Sequence, residues 1–209
     1  MPFPSDTARR LVDLGVATLS ESTPRRHPPT GLRLLVGEPF AGPAVTVDLP
    51  AGDNLGVHLA VEAATAGDVV CVASRGRGLY GVVGELLTEA ARARGIAGLV
   101  VDDGIRDLEA LVVPPAVAAR GTSPRGTAKR RVRRAVNADV SLGGALVAAG
   151  DWIVCDRDGV CVVPADRLEA VVEAAEARAE RETGVREQLR TGRTTKEVFG
   201  LPGDAPASV

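Results

Sequence analysis

Aromatic side chains are nearly missing from this 209-residue chain, which holds one Trp, one Tyr and three Phe. The shortage argues against a nucleic-acid surface built by stacking bases between basic residues. It reaches the basic run Lys129-Arg130-Arg131-Val132-Arg133-Arg134, where no aromatic falls; that run reads as a solvated loop. An excess of charge of one sign is also missing. The formal net charge is −2, so the chain as a whole is not built to coat nucleic acid or an anionic membrane. Cysteine is scarce: Cys71, Cys155 and Cys161 all sit in apolar runs and no CxxC occurs. That excludes a disulfide framework by count. With no apolar leader between Met1 and Arg10, it leads us to expect buried free thiols in a reducing cytoplasm. No apolar run approaches the roughly 18–20 residues that a membrane-spanning helix needs.

What is present is the material of an α/β protein. The length suits one domain, and a chain of this size buries about 70% of its unfolded surface, enough for a core without staples. The apolar residues are mostly Ala, Val and Leu. Valine-rich runs favour strands, and Ala-rich stretches with Glu and Arg favour helices. An amphipathic helix is expected over residues 7–19 and a Pro-, Arg- and Ser-rich loop over 22–30. Strands follow at 33–36 and 44–49, and a helix opens at Asp53-Asn54. Residues 68–73 and 96–102 are continuous apolar runs joined by a helix over 82–94, a βαβ unit implying a parallel, covered sheet. Residues 105–110 read as a short helix and 111–119 as a proline-interrupted strand. Asp156-Arg157-Asp158-Gly159 between two apolar runs is a hairpin signal. A long helix over 167–189 carries an apolar stripe of Leu168, Val171, Val172, Ala175 and Ala179, so it docks either on this chain or on a neighbour. A short element at 192–201 and a disordered tail at 202–209 close the chain. We read 1–165 as one domain and 166–209 as its helical extension.

Two constellations carry chemistry. Gly76-Arg77-Gly78-Leu79-Tyr80-Gly81 matches GxGxxG between a strand and a helix, with Asp102 at the end of the next strand. That is the setting of a dinucleotide site. Against it stand the hairpins after Asp107, where further βαβ units are needed, and Arg75 and Arg77 in a loop that usually works through backbone amides. The loop remains suited to an anion. The second constellation pairs Gly84-Glu85-Leu86-Leu87 with Arg106-Asp107, which follows the turn Asp103-Gly104. In a βαβ unit both segments lie at the same edge of the sheet, where open α/β sheets bind ligands. An arginine forks a carboxylate, and a carboxylate such as Asp107 or Glu85 holds a hard divalent cation that polarises a keto oxygen.

These residues carry a resemblance. Gly67-Asp68-Val69-Val70, Gly84-Glu85-Leu86-Leu87 and the run from Arg94 through Gly98-Leu99-Val100-Val101-Asp102-Asp103-Gly104-Ile105-Arg106-Asp107 resemble the RraA-like family. So do Gly42-Pro43-Ala44-Val45-Thr46-Val47 and Asp53-Asn54 upstream, and Arg120-Gly121-Thr122-Ser123-Pro124-Arg125-Gly126-Thr127, Gly143-Gly144 and Gly150-Asp151 downstream. That family includes 4-hydroxy-4-methyl-2-oxoglutarate and 4-carboxy-4-hydroxy-2-oxoadipate aldolases and a regulator of ribonuclease E activity.

The resemblance implies a compact, layered β/β/α domain of the swivelling type with a C-terminal helical extension, assembled as a trimer or hexamer. It implies Mg²⁺ or Mn²⁺ at Asp107, the pyruvyl group held by Arg106 and by backbone amides of Gly84, Glu85, Leu86 and Leu87, and Glu85 positioning a catalytic water. The reaction implied is cleavage or decarboxylation of a pyruvyl-containing oxo-acid, oxaloacetate included, through a metal-stabilised pyruvate enolate. A regulator acting through protein contacts is the alternative, and a nucleotide-binding enzyme a more distant one. Two departures stand out. Glu85 falls where the aldolases carry Asp, and Arg75-Gly76 replaces an acidic residue followed by glycines. Those arginines favour anionic substrates or mark a different one. Glu180, Glu182 and Glu187 are candidates to complete a neighbouring subunit's site.

Overall fold

In the computed structural model, residues 5–23 and 27–203 are described. In chain order the strands are β1 (Arg33–Val36), β2 (Phe40–Leu49), β3 (Val69–Ser74), β4 (Gly81–Val83), β5 (Gly98–Ile105), β6 (Ala116–Thr122), β7 (Val140–Leu142), β8 (Ala145–Val147), β9 (Trp152–Asp156) and β10 (Gly159–Val163). The helices are α1 (Asp6–Leu14), α2 (Val16–Ser22), α3 (Leu55–Ala63), α4 (Glu85–Ala93), α5 (Leu168–Arg190) and α6 (Thr195–Phe199).

The main sheet runs β1-β6-β5-β3-β2-β9-β10, with β4 paired to the end of β5. Its centre is parallel: Val69 lies opposite both Ala44 and Gly98, and Gly98 opposite Ala116. The carboxyl ends of β2, β3, β5 and β6 therefore share one edge. Strand β2 bends the sheet back on itself. Its second half pairs β3 in parallel, while Phe40 to Pro43 pair β9 antiparallel.

Alternation along the strands then builds the layers. Val47, Val72, Val101 and Val117 point under α3 and α4. Ala44, Cys71, Val100 and Ala118 point the other way, onto Ile153, Cys155 and Val162 of the closing hairpin and onto Val140 and Leu142 of β7. The outer face of β9 and β10, with Val154, Cys161 and Val163, is covered by α1, α2 and the first turns of α5. This is the layered α/β architecture expected.

Several local expectations are corrected. The first helix is two helices, broken at Gly15 (φ +78°), whose amide caps α1. Val82 and Val83 belong to β4 and not to the helix, which begins at Glu85. Asp103-Gly104 is no turn, since β5 continues through it to Ile105. Strand β6 starts only at Ala116, after two cis X-Pro bonds. The Asp156 to Gly159 turn does close a hairpin, with Asp158 N–H donating to Asp156 Oδ1 at 2.8 Å.

The apolar stripe of α5 docks on this chain: Val171, Val172 and Ala175 are buried, and Arg10 pairs with Glu176 at 2.8 Å. Beyond Ala175, α5 has no fully buried residue. All three thiols are free and buried. Burial pushes Cys155 up to about 12 and Cys161 up to about 11, with Cys71 raised further. Part of the expected loop (24–26) and most of the expected tail (204–209) lie outside the described residues.

Candidate active site

The loops after β4 and β5 meet at the shared sheet edge, as the βαβ reading requires. Arg106 N–H donates to Val83 O at 2.9 Å, fastening the residue after β5 to the end of β4. Asp107 follows in a left-handed conformation (φ +57°). Such a conformation costs most side chains about 1–2 kcal/mol, and aspartate is one of the few residues besides glycine that adopt it. The left-handed step brings the Asp107 carboxylate against Gly84, so that a Cβ on Gly84 would overlap Oδ2 and lie 3.1 Å from Arg106 Cγ. Glycine is needed there for space: its φ of −148° is ordinary extended backbone.

Arg106 Nε and Asp107 Oδ2 are 3.4 Å apart, and both side chains are a little under half exposed, at 43% and 45%. An ion pair this open contributes little to stability, which leaves both groups available to a ligand. A cavity of about 380 Å³ beside them is lined by Ile105, Arg106, Asp107, Leu108, Thr122, Ser123 and Pro124.

Helix α4 begins at the same place. Its first amides, of Glu85 and Leu86, have no acceptor within the helix, and the dipole adds positive potential there. Leu87 and Thr88 amides turn back to Gly84 O at 3.1 and 3.2 Å. The six expected site residues are thus brought to one edge in different ways. Gly84, Arg106 and Asp107 are in contact. Glu85 and Leu86 are exposed on the first turn of α4, while the Leu87 side chain is buried in the core. Glu85, Leu86 and Leu87 do not line the cavity.

The glycine loop serves a different purpose from the one its motif suggests. It wraps the fully buried Asp103. Gly78 and Tyr80 amides donate to Asp103 Oδ1 at 2.9 and 3.0 Å, as does Gly104 N–H at 2.9 Å. Ser74 Oγ donates to Oδ2 at 2.5 Å and accepts from Gly76 N–H at 3.0 Å. A Cβ on Gly76 would overlap the Asp103 carboxylate. The amides that a pyrophosphate would need are spent on an internal carboxylate.

The structure adds partners that the sequence reading missed. Arg125 stacks over Tyr80 at 4.4 Å, and Arg120 pairs with Asp102. Neither pairing has a local sequence signal. The basic run is held down by Asp53, which accepts from Leu55, Arg130 and Arg131 amides at 2.9, 2.9 and 3.1 Å. Burial alone would raise that carboxyl, but the three donors outweigh it and it titrates below its ordinary range.

Known proteins resemble this chain in sequence and in fold. Residues 11–162 match the model of the RraA-like family, described as Aldolase/RraA. A Halalkalibacterium halodurans protein named "putative 4-hydroxy-4-methyl-2-oxoglutarate aldolase" is 37% identical over 137 residues, a match covering 64% of this chain and 64% of that protein. Among solved structures, an uncharacterized protein from Pseudomonas syringae superposes with a TM-score of 0.81 at 26% identity, covering 97% of this chain and 96% of that one. The RNA-processing inhibitor RraA from Thermus thermophilis superposes with a TM-score of 0.64 at 29% identity, covering 71% and 92%. With most of its length matched by the family model, this chain belongs to the RraA-like family.

Proposed function

We propose that the chain is a carbon–carbon lyase acting on pyruvyl-containing oxo-acids, of the 4-hydroxy-4-methyl-2-oxoglutarate aldolase and oxaloacetate decarboxylase type. The observation that carries the reading is the contact of Gly84 with Arg106 and Asp107, which brings a guanidinium, a carboxylate and the start of α4 side by side at one sheet edge. The aldolase name of the H. halodurans relative supports the same reaction class.

Arg106 forks the carboxylate of the pyruvyl group, and the first amides of α4 hold its oxygens. In cleavage, the C4 hydroxyl gives up its proton, the C3–C4 bond breaks, and the electron pair moves into the pyruvyl enolate. In decarboxylation, CO₂ leaves instead. Protonation at C3 then yields pyruvate. Arg106 and the helix terminus are placed before the reaction to oppose this negative charge, the kind of preorganised stabilisation that speeds enolate chemistry. Glu85, at the start of α4, orients the water that relays the proton.

Asp107 fits a hard divalent cation. It is a half-exposed carboxylate, and Mg²⁺ typically takes one or two protein carboxylates, keeping water and substrate oxygens for its other positions. Mg²⁺ or Mn²⁺, when bound, supplies Lewis-acid polarisation of the keto oxygen. We also propose a homotrimer or hexamer. Leu86 and Leu108 are exposed at 81% and 45% on the two segments that build the site, as suits a face covered by a neighbour. Glu180, Glu182 and Glu187 lie on the half of α5 without a buried core face. A cytoplasmic location goes with this metabolic reading.

The competing reading is a regulator acting through protein contacts, favoured by the likeness to the Thermus RNA-processing inhibitor. Pyruvate release from 4-hydroxy-4-methyl-2-oxoglutarate, measured after chelation and after adding Mg²⁺ or Mn²⁺ back, separates the two. The lyase reading expects release that follows the metal; no release under any condition sinks it.

A further inference from the structure

We infer that the chain carries a second ligand site, for a small polyanion, at the glycine loop. A cavity of about 330 Å³ lies at the carboxyl ends of β2, β3, β5 and β6, lined by Asp48, Ser74, Arg75, Arg77, Asp102, Arg120, Ser141 and Gly144. It shares no lining residue with the cavity beside Arg106 and Asp107. Its volume falls at the small end of metabolite pockets.

Charge decides what it takes. Its two carboxylates are already compensated within the protein. Asp102 accepts from Arg120 and from Gly143 N–H at 2.9 Å, and Asp48 accepts from Arg133 Nη1 at 2.9 Å. Asp103, beneath the loop, is saturated by Ser74 and three amides. A cation would find no free carboxylate here. Arg75 and Arg77 are the opposite case: both are exposed, and among the described residues neither is paired with a carboxylate. Arg77 also holds a left-handed conformation (φ +52°) between two glycines. The chain thus keeps an arginine where glycine would be unstrained, and places two unpaired guanidiniums at the mouth of a polar cavity.

Guanidiniums fork carboxylate and phosphate oxygens equally well. The site therefore fits a small molecule bearing two or more such groups, such as a di- or tricarboxylate or a phosphate ester. This does not depend on the lyase reading, because it concerns binding and not turnover.

The test is titration calorimetry on the full chain with citrate and, separately, inorganic phosphate, at an ionic strength held constant with KCl. It compares wild type, the double variant Arg75→Gln/Arg77→Gln and, as a control, Arg157→Gln, an exposed arginine that lines neither cavity. Both loop arginines are exposed, so the double variant keeps the core, and circular dichroism checks it. We expect at least one anion to bind wild type, at least tenfold weaker binding to the double variant, and a change of less than twofold in Arg157→Gln. Whichever anion binds more tightly identifies the group recognised. No binding beyond the KCl background, undiminished binding to the double variant, or an equal loss of binding in Arg157→Gln would each overturn the inference.

Discussion

Asp103 and Asp107 stand four residues apart on one segment, and the protein treats them in opposite ways. Asp103 is fully buried in β5, with a hydroxyl and three amides turned towards it. Asp107 is nearly half exposed beyond the strand, with one arginine at 3.4 Å. Each has a glycine pressed against it, Gly76 on Asp103 and Gly84 on Asp107. A buried carboxylate must have its donors supplied by the protein, because leaving a charge unpaired in a low-dielectric interior is costly. A half-exposed one is stabilised by water and can exchange it for a ligand. The first aspartate organises the loop, while the second is left with open coordination.

Substitutions at the two sites should therefore diverge. The largest effect is expected from Arg106→Ala, which should lower kcat/KM for oxaloacetate by about 10³, the scale of losing a preorganised donor to developing charge, while the melting temperature barely moves. Asp103→Ala should do the reverse. It leaves buried N–H groups without an acceptor, at about 1–3 kcal/mol for each group that water does not reach. We expect about 3 kcal/mol off the unfolding free energy by urea titration, and a looser Arg75 and Arg77 loop. Equal stability losses at Asp103 and Asp107 would erase the distinction drawn here.

Gly84→Ala is expected to fold but to push Asp107 and Arg106 apart. A displacement of about 1 Å at a reacting centre costs up to 10²-fold, so we expect a kcat 10- to 100-fold lower. Glu85→Asp restores the carboxylate reach that the aldolases use and should change kcat by only a few-fold; an increase supports its role in placing water.

The smallest effect is on acid stability. Burial, and then Lys129, hold His58 below its ordinary value of 6.5, and its buried Nε2 has no partner among the described residues. The native state therefore takes up fewer protons than the unfolded one. His58 stabilises fully above pH 6.5, and that contribution fades as pH falls towards its lower native value. His58→Gln should flatten this part of a stability–pH curve. Asp53, also depressed, adds a second loss below pH 3.8.

The meeting of Gly84 with Arg106 and Asp107 was legible in the sequence because a βαβ unit sends the loops after its strands to the same edge. The role of Asp103 was not. Asp-Gly reads locally as a turn, and only the pairing of β4 and β6 onto the end of β5 keeps those residues extended. A signal was present in two adjacent acids ending a continuous apolar run, followed in the fold by a loop rich in glycine amides. Val82 and Val83 were absorbed into the helical pattern of α4 because three residues are too few to show a period of two. The Arg120 to Asp102 and Arg125 to Tyr80 pairings span 18 and 45 residues, and no local pattern encodes them. The glycine motif imitates a dinucleotide loop because phosphate and a buried carboxylate ask the same thing of a backbone, free N–H groups turned inward.

The central claim is that Asp107 holds a cation beside a pyruvyl group gripped by Arg106. Oxaloacetate decarboxylation by wild type and Asp107→Asn, after chelation and with Mg²⁺ or Mn²⁺ restored, tests it most directly. The account predicts wild-type turnover that disappears with the metal and returns with it, and an Asp107→Asn protein that is folded but inert at the same metal concentration. Turnover indifferent to the metal, or undiminished in Asp107→Asn, would contradict it.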